Sequence, residues 1–302
     1  MGSHGAAVDR VPLADPVRGL LLVVSSTRAV RVERASAATL SDGWAARLGV
    51  ELVRDDEALD AAGVGLGCFD LVALVPLEVV PAFDPDHPWI RVPVDPALRR
   101  WVGTRDPTRL PLPRGDGRPY HANLVVLPLR AGRARLSVGH LDAARSPPSA
   151  ARPPRSAPRV GPWLAALADA PAASDVVLTE TSRQVGGDRY PGFVAVRWML
   201  GSRARMAFAA FPRAVTIEPP SLGGVPGTRA LHDRRRDAIE AADVPWIDRP
   251  GQADAWSAAH PGARFGPRLT RWRAARTALL REDAGRFASA WAVEVGLLAA
   301  PP

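Results

Sequence analysis

Residues 192–218 carry the most regular alternation of hydrophobic and polar positions in the chain. From residue 194 to residue 200 every second side chain is large and hydrophobic, which is the period of two that a pleated strand requires. A glycine-serine pair then predicts a turn. A second alternating run contains Met206 and Phe208, and a third covers residues 214–218. The pattern therefore predicts a three-stranded meander.

Three arginines, Arg197, Arg203 and Arg205, lie inside this apolar meander. An arginine in a strand usually lies on the solvated outer face of its sheet. A sheet face with arginines can instead line a pocket for an anionic or oxygen-rich ligand, because a guanidinium presents several hydrogen-bond donors in a fixed geometry. The residues alone leave both interpretations open.

The N-terminal part alternates short strands with short helices. A nearly continuous apolar run at residues 17–25 predicts a buried strand, and residues 27–33 predict a second strand that pairs with it. A helix is expected to begin at Ser41, whose side chain suits a helix cap. Residues 50–53 predict a brief strand. Residues 55–62 predict a short helix whose acidic start suits the helix dipole.

Residues 63–83 begin with three glycines, Gly63, Gly65 and Gly67, and continue as an apolar strand. A dinucleotide-binding glycine loop lies between a strand and the N-terminus of a helix. Here a helix precedes the glycines and a strand follows them, so the order argues against a Rossmann fold. The glycines predict a tight turn from helix to strand, whose open backbone can lie against a cofactor.

The remaining pattern completes a mixed fold. We expect strands at residues 123–129, 135–138 and 244–247, helices at 163–170, 228–242 and 269–280, and an exposed loop rich in proline and arginine at 145–162. Together with the meander, these elements indicate an α+β protein with a substantial antiparallel sheet.

All 39 basic residues among the 302 are arginines, and the formal net charge is +8. The arginines are dispersed along the chain and do not form one basic helix or an aromatic-studded strand pair, so we expect no nucleic-acid partner. Because lysine is absent, the chain has neither a Schiff-base lysine nor the lysine of a phosphate-binding loop. The single cysteine excludes an internal disulfide and a cysteine-rich metal site.

Apolar runs are too short to span a membrane, and the N-terminus has no hydrophobic signal core. These features predict a cytoplasmic protein without a membrane partner. The six histidines are isolated, so we expect no metal site. The G-x-S-x-G motif of a serine nucleophile is absent from the sequence. From the residues alone, the activity stays undetermined.

Three stretches, in this order, resemble the FAD-linked oxidases of the vanillyl-alcohol-oxidase type, the group that includes the aldonolactone oxidases. Residues 28–83 are similar to the late part of the family's FAD-binding domain. Residues 192–218 are similar to the substrate-domain sheet that covers the isoalloxazine ring, and residues 272–298 to the closing segment. The resemblance implies an α+β fold made of a remnant of a PCMH-type FAD-binding domain and an antiparallel-sheet substrate domain covered by helices.

The resemblance also implies domain boundaries. It places the remnant of the FAD-binding domain at residues 1–83, the substrate domain at 84–248 with a disordered loop near 145–162, and a C-terminal segment that returns to the FAD-binding side at 249–302. The family's glycine-rich loop for the FAD diphosphate has no counterpart before residue 17. The implied partners are therefore a small-molecule substrate and a separate chain that supplies the missing half of a truncated FAD-binding domain.

In the family, the backbone of a Gly-Ser-Phe-Gly turn lies against the flavin. Residues 67–70 of this chain, Gly-Cys-Phe-Asp, are similar to that turn, and they put a carboxylate near the place of the flavin edge. The resemblance implies FAD as cofactor and FAD contacts from this turn and from the C-terminal segment, namely from Gly65, Gly67, Cys68, Phe69 and Gly251.

The family's His-Trp-Gly-Lys active-site motif corresponds to residues 249–252, where only the glycine is kept. The implied polar groups that face the substrate are then Arg249, Gln252 and Arg197. A guanidinium cannot act as the base that an imidazole provides. The implied function is the oxidation of an alcohol or lactone carbon by hydride transfer to FAD. The altered motif leaves open an alternative, a cofactor-free and non-redox derivative that is a pocket protein for a secondary metabolite or an inactive partner.

Overall fold

The computed structural model describes residues 10–80, 89–98, 118–126, 133–141, 160–161, 165–167, 179, 193–218, 221–222, 228–242, 246–248 and 260–299. Within these ranges the strands are β1 (Gly19–Val23), β2 (Ala29–Glu33), β3 (Glu51–Arg54), β4 (Leu71–Leu74), β5 (Trp89–Pro93), β6 (Arg118–Val126), β7 (Arg133–Leu141), β8 (Val160–Gly161), β9 (Ala165–Leu167), β10 (Val194–Leu200), β11 (Arg213–Glu218), β12 (Ser221–Leu222) and β13 (Trp246–Asp248). The helices are α1 (Asp42–Arg47), α2 (Asp56–Ala62), α3 (Thr228–Ala241), α4 (His260–Phe265), α5 (Pro267–Leu280) and α6 (Ala290–Glu294). Among the helices of these ranges, none has the length and apolar character that crossing a membrane requires.

The first sheet has the strand order β3-β2-β1-β4. β1 lies antiparallel between β2 and β4, and β3 joins β2 in parallel. Alternate residues of β1 and β2, among them Leu20, Leu22, Val30 and Val32, are fully buried in a core that also contains apolar residues of α2 and α5. The predicted pairing of the first two strands is confirmed, because one face of each strand is apolar and has a helical layer to pack against.

Both N-terminal helices begin at a side chain that caps them. Ser41 Oγ accepts a hydrogen bond from Trp44 N at 3.3 Å. Asp55 Oδ1 accepts hydrogen bonds from Glu57 N at 2.8 Å and from Ala58 N at 3.1 Å. These bonds satisfy backbone donors that the first turn of a helix leaves unpaired. The helix predicted to begin at Ser41 and the helix predicted at residues 55–62 are thereby confirmed.

The second sheet has the order β13-β9-β11-β10-β6-β7-β5, and every neighbouring pair in it is antiparallel. One face of its central strands is apolar and forms a second core, in which Leu124, Leu136, Val196 and Ile217 are buried. Ile239 of α3 packs into the same core, so this helix covers the apolar face. The expectation of a substantial antiparallel sheet is confirmed.

The predicted middle strand of the meander is wrong. β10 pairs with β11 directly, and residues 201–212 form an irregular loop between them. Met206 and Phe208, which suggested a strand, are buried in the core of the first sheet. Their alternation reflects the burial of two large side chains in a distant core and not the pairing of a strand.

The helix predicted at residues 163–170 is also wrong where the structure describes it. Ala165–Leu167 is the strand β9, which pairs with β11 on one side and with β13 on the other. Pairing on both sides satisfies its backbone groups and outweighs the local preference of an alanine-rich segment. Most of the exposed loop predicted at 145–162 lies outside the described residues, although β8 within it pairs with β12.

Gly201 is required at the start of the loop that joins β10 to β11. A Cβ atom at this position would lie 2.1 Å from the carbonyl oxygen of Phe211 and 3.0 Å from Cα of Pro212. Backbone atoms cannot turn away as a side chain can, so we expect Gly201→Ala to lower the free energy of unfolding by about 1–3 kcal/mol. Gly262→Ala in α4 is the control, because its Cβ has nothing within 4 Å and alanine favours a helix. Equal urea midpoints for the two variants would contradict this prediction.

Candidate functional site

The glycine turn between α2 and β4 is the first part of the candidate site. Gly67 is exposed and has a φ of +73°, a backbone conformation that favours glycine. A Cβ atom at Gly67 would have no other atom within 4 Å, so the space in front of it is open. The amide of Cys68 donates a hydrogen bond to the carbonyl oxygen of Gly65 at 2.9 Å, which closes the turn. The turn thus presents bare backbone to its surroundings at Gly67.

The two side chains that follow this bare backbone, those of Cys68 and Phe69, point into the core. Cys68 is fully buried, and its burial raises the pKa of the thiol. The ring of Phe69 packs edge-on against Trp272 of α5, with ring centroids 5.4 Å apart. Arg276 Nε donates to the carbonyl oxygen of Cys68 at 2.5 Å. Of the predicted cofactor contacts in this turn, Cys68 and Phe69 therefore offer only backbone. The N–H and C=O groups of Cys68 already have partners within the protein, so a cofactor could only pack against them or use the second lone pair of that carbonyl oxygen.

Asp70 is the last residue of the turn, and its carboxyl group has a raised pKa and an unpaired oxygen atom. Burial raises the pKa of Asp70 to about 7, because a carboxylate loses its hydration where water is excluded. Its Oδ2 atom is buried and accepts no hydrogen bond. Near neutral pH the group therefore exists in both protonation states, which is the condition for accepting or donating a proton at that pH.

The second part of the candidate site is a row of polar side chains across the second sheet. Arg197 of β10 lies directly opposite Thr216 of β11 on one side and Asn123 of β6 on the other. Asn123 in turn lies opposite Ser137 of β7. Residues directly opposite one another in adjacent strands share one face of the sheet. This face is the one turned away from the second core, and the four residues are called the polar row below.

The residues of the polar row differ in depth. Arg197 is exposed and Asn123 is half-buried, whereas Thr216 and Ser137 are buried. The hydroxyl oxygen of Thr216 and Oδ1 of Asn123 have no hydrogen-bond partner, although buried polar atoms are normally paired. The polar row therefore has one exposed guanidinium, that of Arg197. On the two neighbouring strands it has two buried oxygen atoms without a hydrogen-bond partner.

Further basic residues lie on the same face as the polar row. Arg135 of β7 lies directly opposite Arg91 of β5, and both side chains are exposed. Two like charges directly opposite each other repel. His121, two residues before Asn123 on β6, is half-buried on this face. The part of this face around the polar row is thus positively charged, whereas Met199 and Ala214, further along the same face, pack in the core of the first sheet.

Three predicted site residues, Arg249, Gly251 and Gln252, lie outside the described residues. The strand β13 ends at Asp248, directly before them, and occupies one edge of the second sheet. Their contacts with the substrate or the cofactor stay predictions.

Sequence reasoning found Arg197 but missed Thr216, Asn123, Ser137 and the behaviour of Asp70. A signal for the first three was present, because each is a polar residue at an alternate position between apolar neighbours of a strand. The register that places them side by side joins strands far apart in the chain, and no local pattern contains that information.

In the part of the chain that the structure describes, no group of three or more histidine, cysteine, aspartate or glutamate residues is placed to hold a metal ion. Comparison with known proteins gave no match to any family model and no match among the curated proteins.

Solved structures with the same fold do exist. The xylooligosaccharide oxidase from Myceliophthora thermophila C1, in complex with xylobiose, matches with a TM-score of 0.56 over 94% of this chain and 69% of the oxidase chain, at 13% sequence identity. The 6-hydroxy-D-nicotine oxidase from Arthrobacter nicotinovorans matches with a TM-score of 0.50 over 93% of this chain and 69% of that chain, also at 13% identity. At this identity the likeness shows the fold: this chain has the fold of these two oxidases over nearly its whole length.

Proposed function

We propose that this protein is an FAD-linked oxidoreductase of the vanillyl-alcohol-oxidase type, which oxidises an alcohol or lactone carbon by hydride transfer to the flavin. The observation that carries the proposal is the fold likeness to two oxidases over 93–94% of the chain. The family resemblance of three stretches in the same order supports it independently. Residues 1–83 and 249–302 would form the cofactor side, and residues 84–248 the substrate side.

The packing of the two sheets supports this division. The core of the first sheet contains apolar residues of α5 and of the segment after it, such as Trp272 and Leu297. The C-terminal segment thus packs against the N-terminal sheet. The second sheet has a separate hydrophobic core, as is expected of a distinct substrate domain.

The turn at Gly67 fits the edge of a flat ring system such as the isoalloxazine of FAD. The open space in front of Gly67 admits a ring that a side chain would exclude. The unpartnered Oδ2 of Asp70 is an acceptor for an N–H or O–H group. Bound FAD would supply the hydride acceptor. Gly65, Gly67 and the backbone of Cys68 and Phe69, with Gly251, are the residues that we propose to hold it.

The chain's own residues would orient the substrate and move its proton. Arg197, Arg249 and Gln252 are proposed to hold the substrate by charge and hydrogen bonds. A guanidinium stays protonated at neutral pH and cannot take the proton of a hydroxyl group. Asp70 follows the turn at which we place the flavin edge, and its Oδ2 has no hydrogen-bond partner. With a pKa of about 7, it is the group that we propose to accept that proton.

A separate chain is proposed to complete the cofactor side, and the strand β4 supports this. Its residues Leu71, Val72 and Leu74 are 67%, 44% and 49% exposed, although a continuous apolar strand is typical of a sheet interior. The other edge strand, β3, is shielded by the charged pairs of Glu51 and Arg54. β4 therefore has the apolar composition of an interior strand but lies at the edge of its sheet. A partner that adds a strand and a covering layer would bury it.

A flavin titration tests the proposed function. The purified protein is mixed with FAD, and its visible absorption spectrum is compared with that of free FAD. We expect bound flavin to give a yellow protein with shifted visible absorption bands. A colourless protein without a shift would favour the cofactor-free alternative.

Two glycine variants sharpen this experiment. Gly67→Asn puts a side chain into the open space, and asparagine tolerates the positive φ. We expect it to weaken FAD binding at least about tenfold, a change of about 1.4 kcal/mol in binding free energy. Gly49→Asn is the matched control, because Gly49 also has a positive φ and open space but follows α1. Equal FAD affinities of the two variants would contradict the placement of flavin at Gly67.

A further inference from the structure

We propose that the polar row binds a hydroxy acid, with its carboxylate on Arg197 and its hydroxyl groups donating to Thr216 and Asn123. The binding of such a ligand follows from the geometry of the second sheet. Its role as the molecule that is oxidised rests on the proposed function.

The polar row is long enough to offer several contacts to one small organic acid. Thr216, Arg197, Asn123 and Ser137 occupy four adjacent strands in direct register. Strands in a sheet lie about 4.8 Å apart, so the row extends over roughly 14 Å. A molecule of several carbon atoms can therefore contact more than one residue of the row at the same time.

The unpaired oxygen atoms indicate that the ligand carries hydrogen-bond donors. Thr216 Oγ1 and Asn123 Oδ1 are buried without a partner, and an unsatisfied polar atom in a protein interior is costly. A hydroxyl oxygen can both donate and accept, and an amide oxygen accepts. A ligand with hydroxyl groups satisfies both atoms, whereas a ligand without a donor hydrogen leaves Asn123 Oδ1 unpaired.

The positive charge around the polar row indicates that the ligand also carries a negative charge. Arg197 is exposed beside the two buried oxygen positions, and a guanidinium binds a carboxylate through two parallel hydrogen bonds. On the same face, the exposed pair Arg91 and Arg135 lies in direct register. An anion relieves the repulsion between these two like charges. A ligand that combines one carboxylate with hydroxyl groups meets the requirements of Arg197 and of the two unpaired oxygen atoms.

Calorimetric titration without FAD tests this proposal with three ligands of matched size. D-gluconate has a carboxylate and hydroxyl groups, D-sorbitol has hydroxyl groups without charge, and hexanoate has a carboxylate without hydroxyl groups. We expect saturable binding of gluconate, and binding at least about tenfold weaker for each of the other two ligands. Absence of gluconate binding, or equal binding of gluconate and hexanoate, would overturn the proposal.

Three variants locate the binding. Arg197→Met is expected to weaken gluconate binding at least about tenfold, whereas Arg271→Met, at an exposed position of α5, leaves it unchanged. Thr216→Val keeps the shape of the side chain and removes the unpaired hydroxyl. It is expected to weaken gluconate binding while the thermal midpoint stays equal or rises, a combination that a loss of folding cannot produce. Gluconate binding that survives Arg197→Met would contradict the proposed site.

The outcome for this site is separable from the outcome for the proposed function. Gluconate binding by a protein that gives no flavin spectrum would keep the site and remove the flavoenzyme. A flavin spectrum without gluconate binding would keep the flavoenzyme and remove the site.

Discussion

Replacement of Arg268 by methionine is expected to remove at least about 3 kcal/mol from the free energy of unfolding. Arg268 of α5 donates hydrogen bonds to the carbonyl oxygens of Arg205 at 3.0 Å, Ala210 at 2.7 Å, Ser202 at 3.4 Å and Ala204 at 2.5 Å. A buried acceptor that loses its donor costs about 1–3 kcal/mol. The carbonyl oxygen of Ala204 keeps the amide of Ala207 as a second donor, so three acceptors are left without the donor that Arg268 supplies. Three such losses are a large share of the 5–15 kcal/mol that is typical of a whole domain.

The measurement is the urea midpoint of the variant, compared with that of Arg271→Met. Arg271 lies on the same helix, one turn further on, but its side chain is exposed. The control therefore removes the same charge and the same side-chain length without touching the loop. Arg268→Lys is expected to behave almost like methionine, because an ammonium group cannot reach four carbonyl oxygens at once. Midpoints of Arg268→Met and Arg271→Met within experimental error would contradict this role.

The reason for so large an effect is the position of the loop at 201–212. Its ends are the strands β10 and β11 of the second sheet, while its middle is buried in the core of the first sheet. Asp15, which is buried, accepts hydrogen bonds from Ser202 Oγ at 2.5 Å and from Arg203 N at 2.9 Å. The loop thus joins the two sheets, and Arg268 holds its backbone in place.

Local signals predicted the elements whose causes are local. The caps at Ser41 and Asp55 and the alternation in β1, β2 and β10 depend on residues close together in the chain, and these elements were predicted correctly. The loop at 201–212 was not, because Met206 and Phe208 have the spacing of a strand but are buried among residues far away in sequence. β9 was missed for the same reason, since its pairing partners follow it by about fifty and eighty residues.

The candidate site likewise contains one residue that a local pattern indicated and others that only the folded sheet brings together. The sequence pointed to Arg197 because an arginine interrupts an apolar strand. It could not point to the neighbours of Arg197, since Asn123 and Thr216 come from two other strands and meet it only in the folded sheet. The pKa of Asp70 was also hidden, because it depends on how completely the fold excludes water from that carboxyl group.

Asp70→Asn is expected to make the protein more stable at pH 8 and to leave its stability at pH 4 nearly unchanged. Burial raises the pKa of Asp70 to about 7 in the folded protein, whereas an unfolded chain has a pKa of about 3.9. Between these two values the unfolded chain releases the proton and the folded protein keeps it. The free energy of unfolding therefore falls as the pH rises through this window.

The size of the effect follows from the difference of about three pKa units. Each unit corresponds to about 1.4 kcal/mol, so Asp70 lowers the free energy of unfolding by up to about 4 kcal/mol between pH 4 and pH 8. Asparagine has the shape of the protonated acid and carries no charge at either pH. The variant should therefore lack this loss of stability and exceed the unmodified protein by a few kcal/mol at pH 8.

Urea unfolding of both proteins at pH 4, 6 and 8 measures this difference. Asp237→Asn is the control, because it removes one negative charge from an exposed position of α3. We expect the gain of Asp70→Asn to grow steadily from pH 4 to pH 8, and the effect of Asp237→Asn to stay small throughout. A gain that is the same at all three pH values would mean that Asp70 ionises in the folded protein as it does in the unfolded chain. It would then have no proton to exchange near neutral pH, and the role of Asp70 as the group that accepts the substrate's proton would be lost with it.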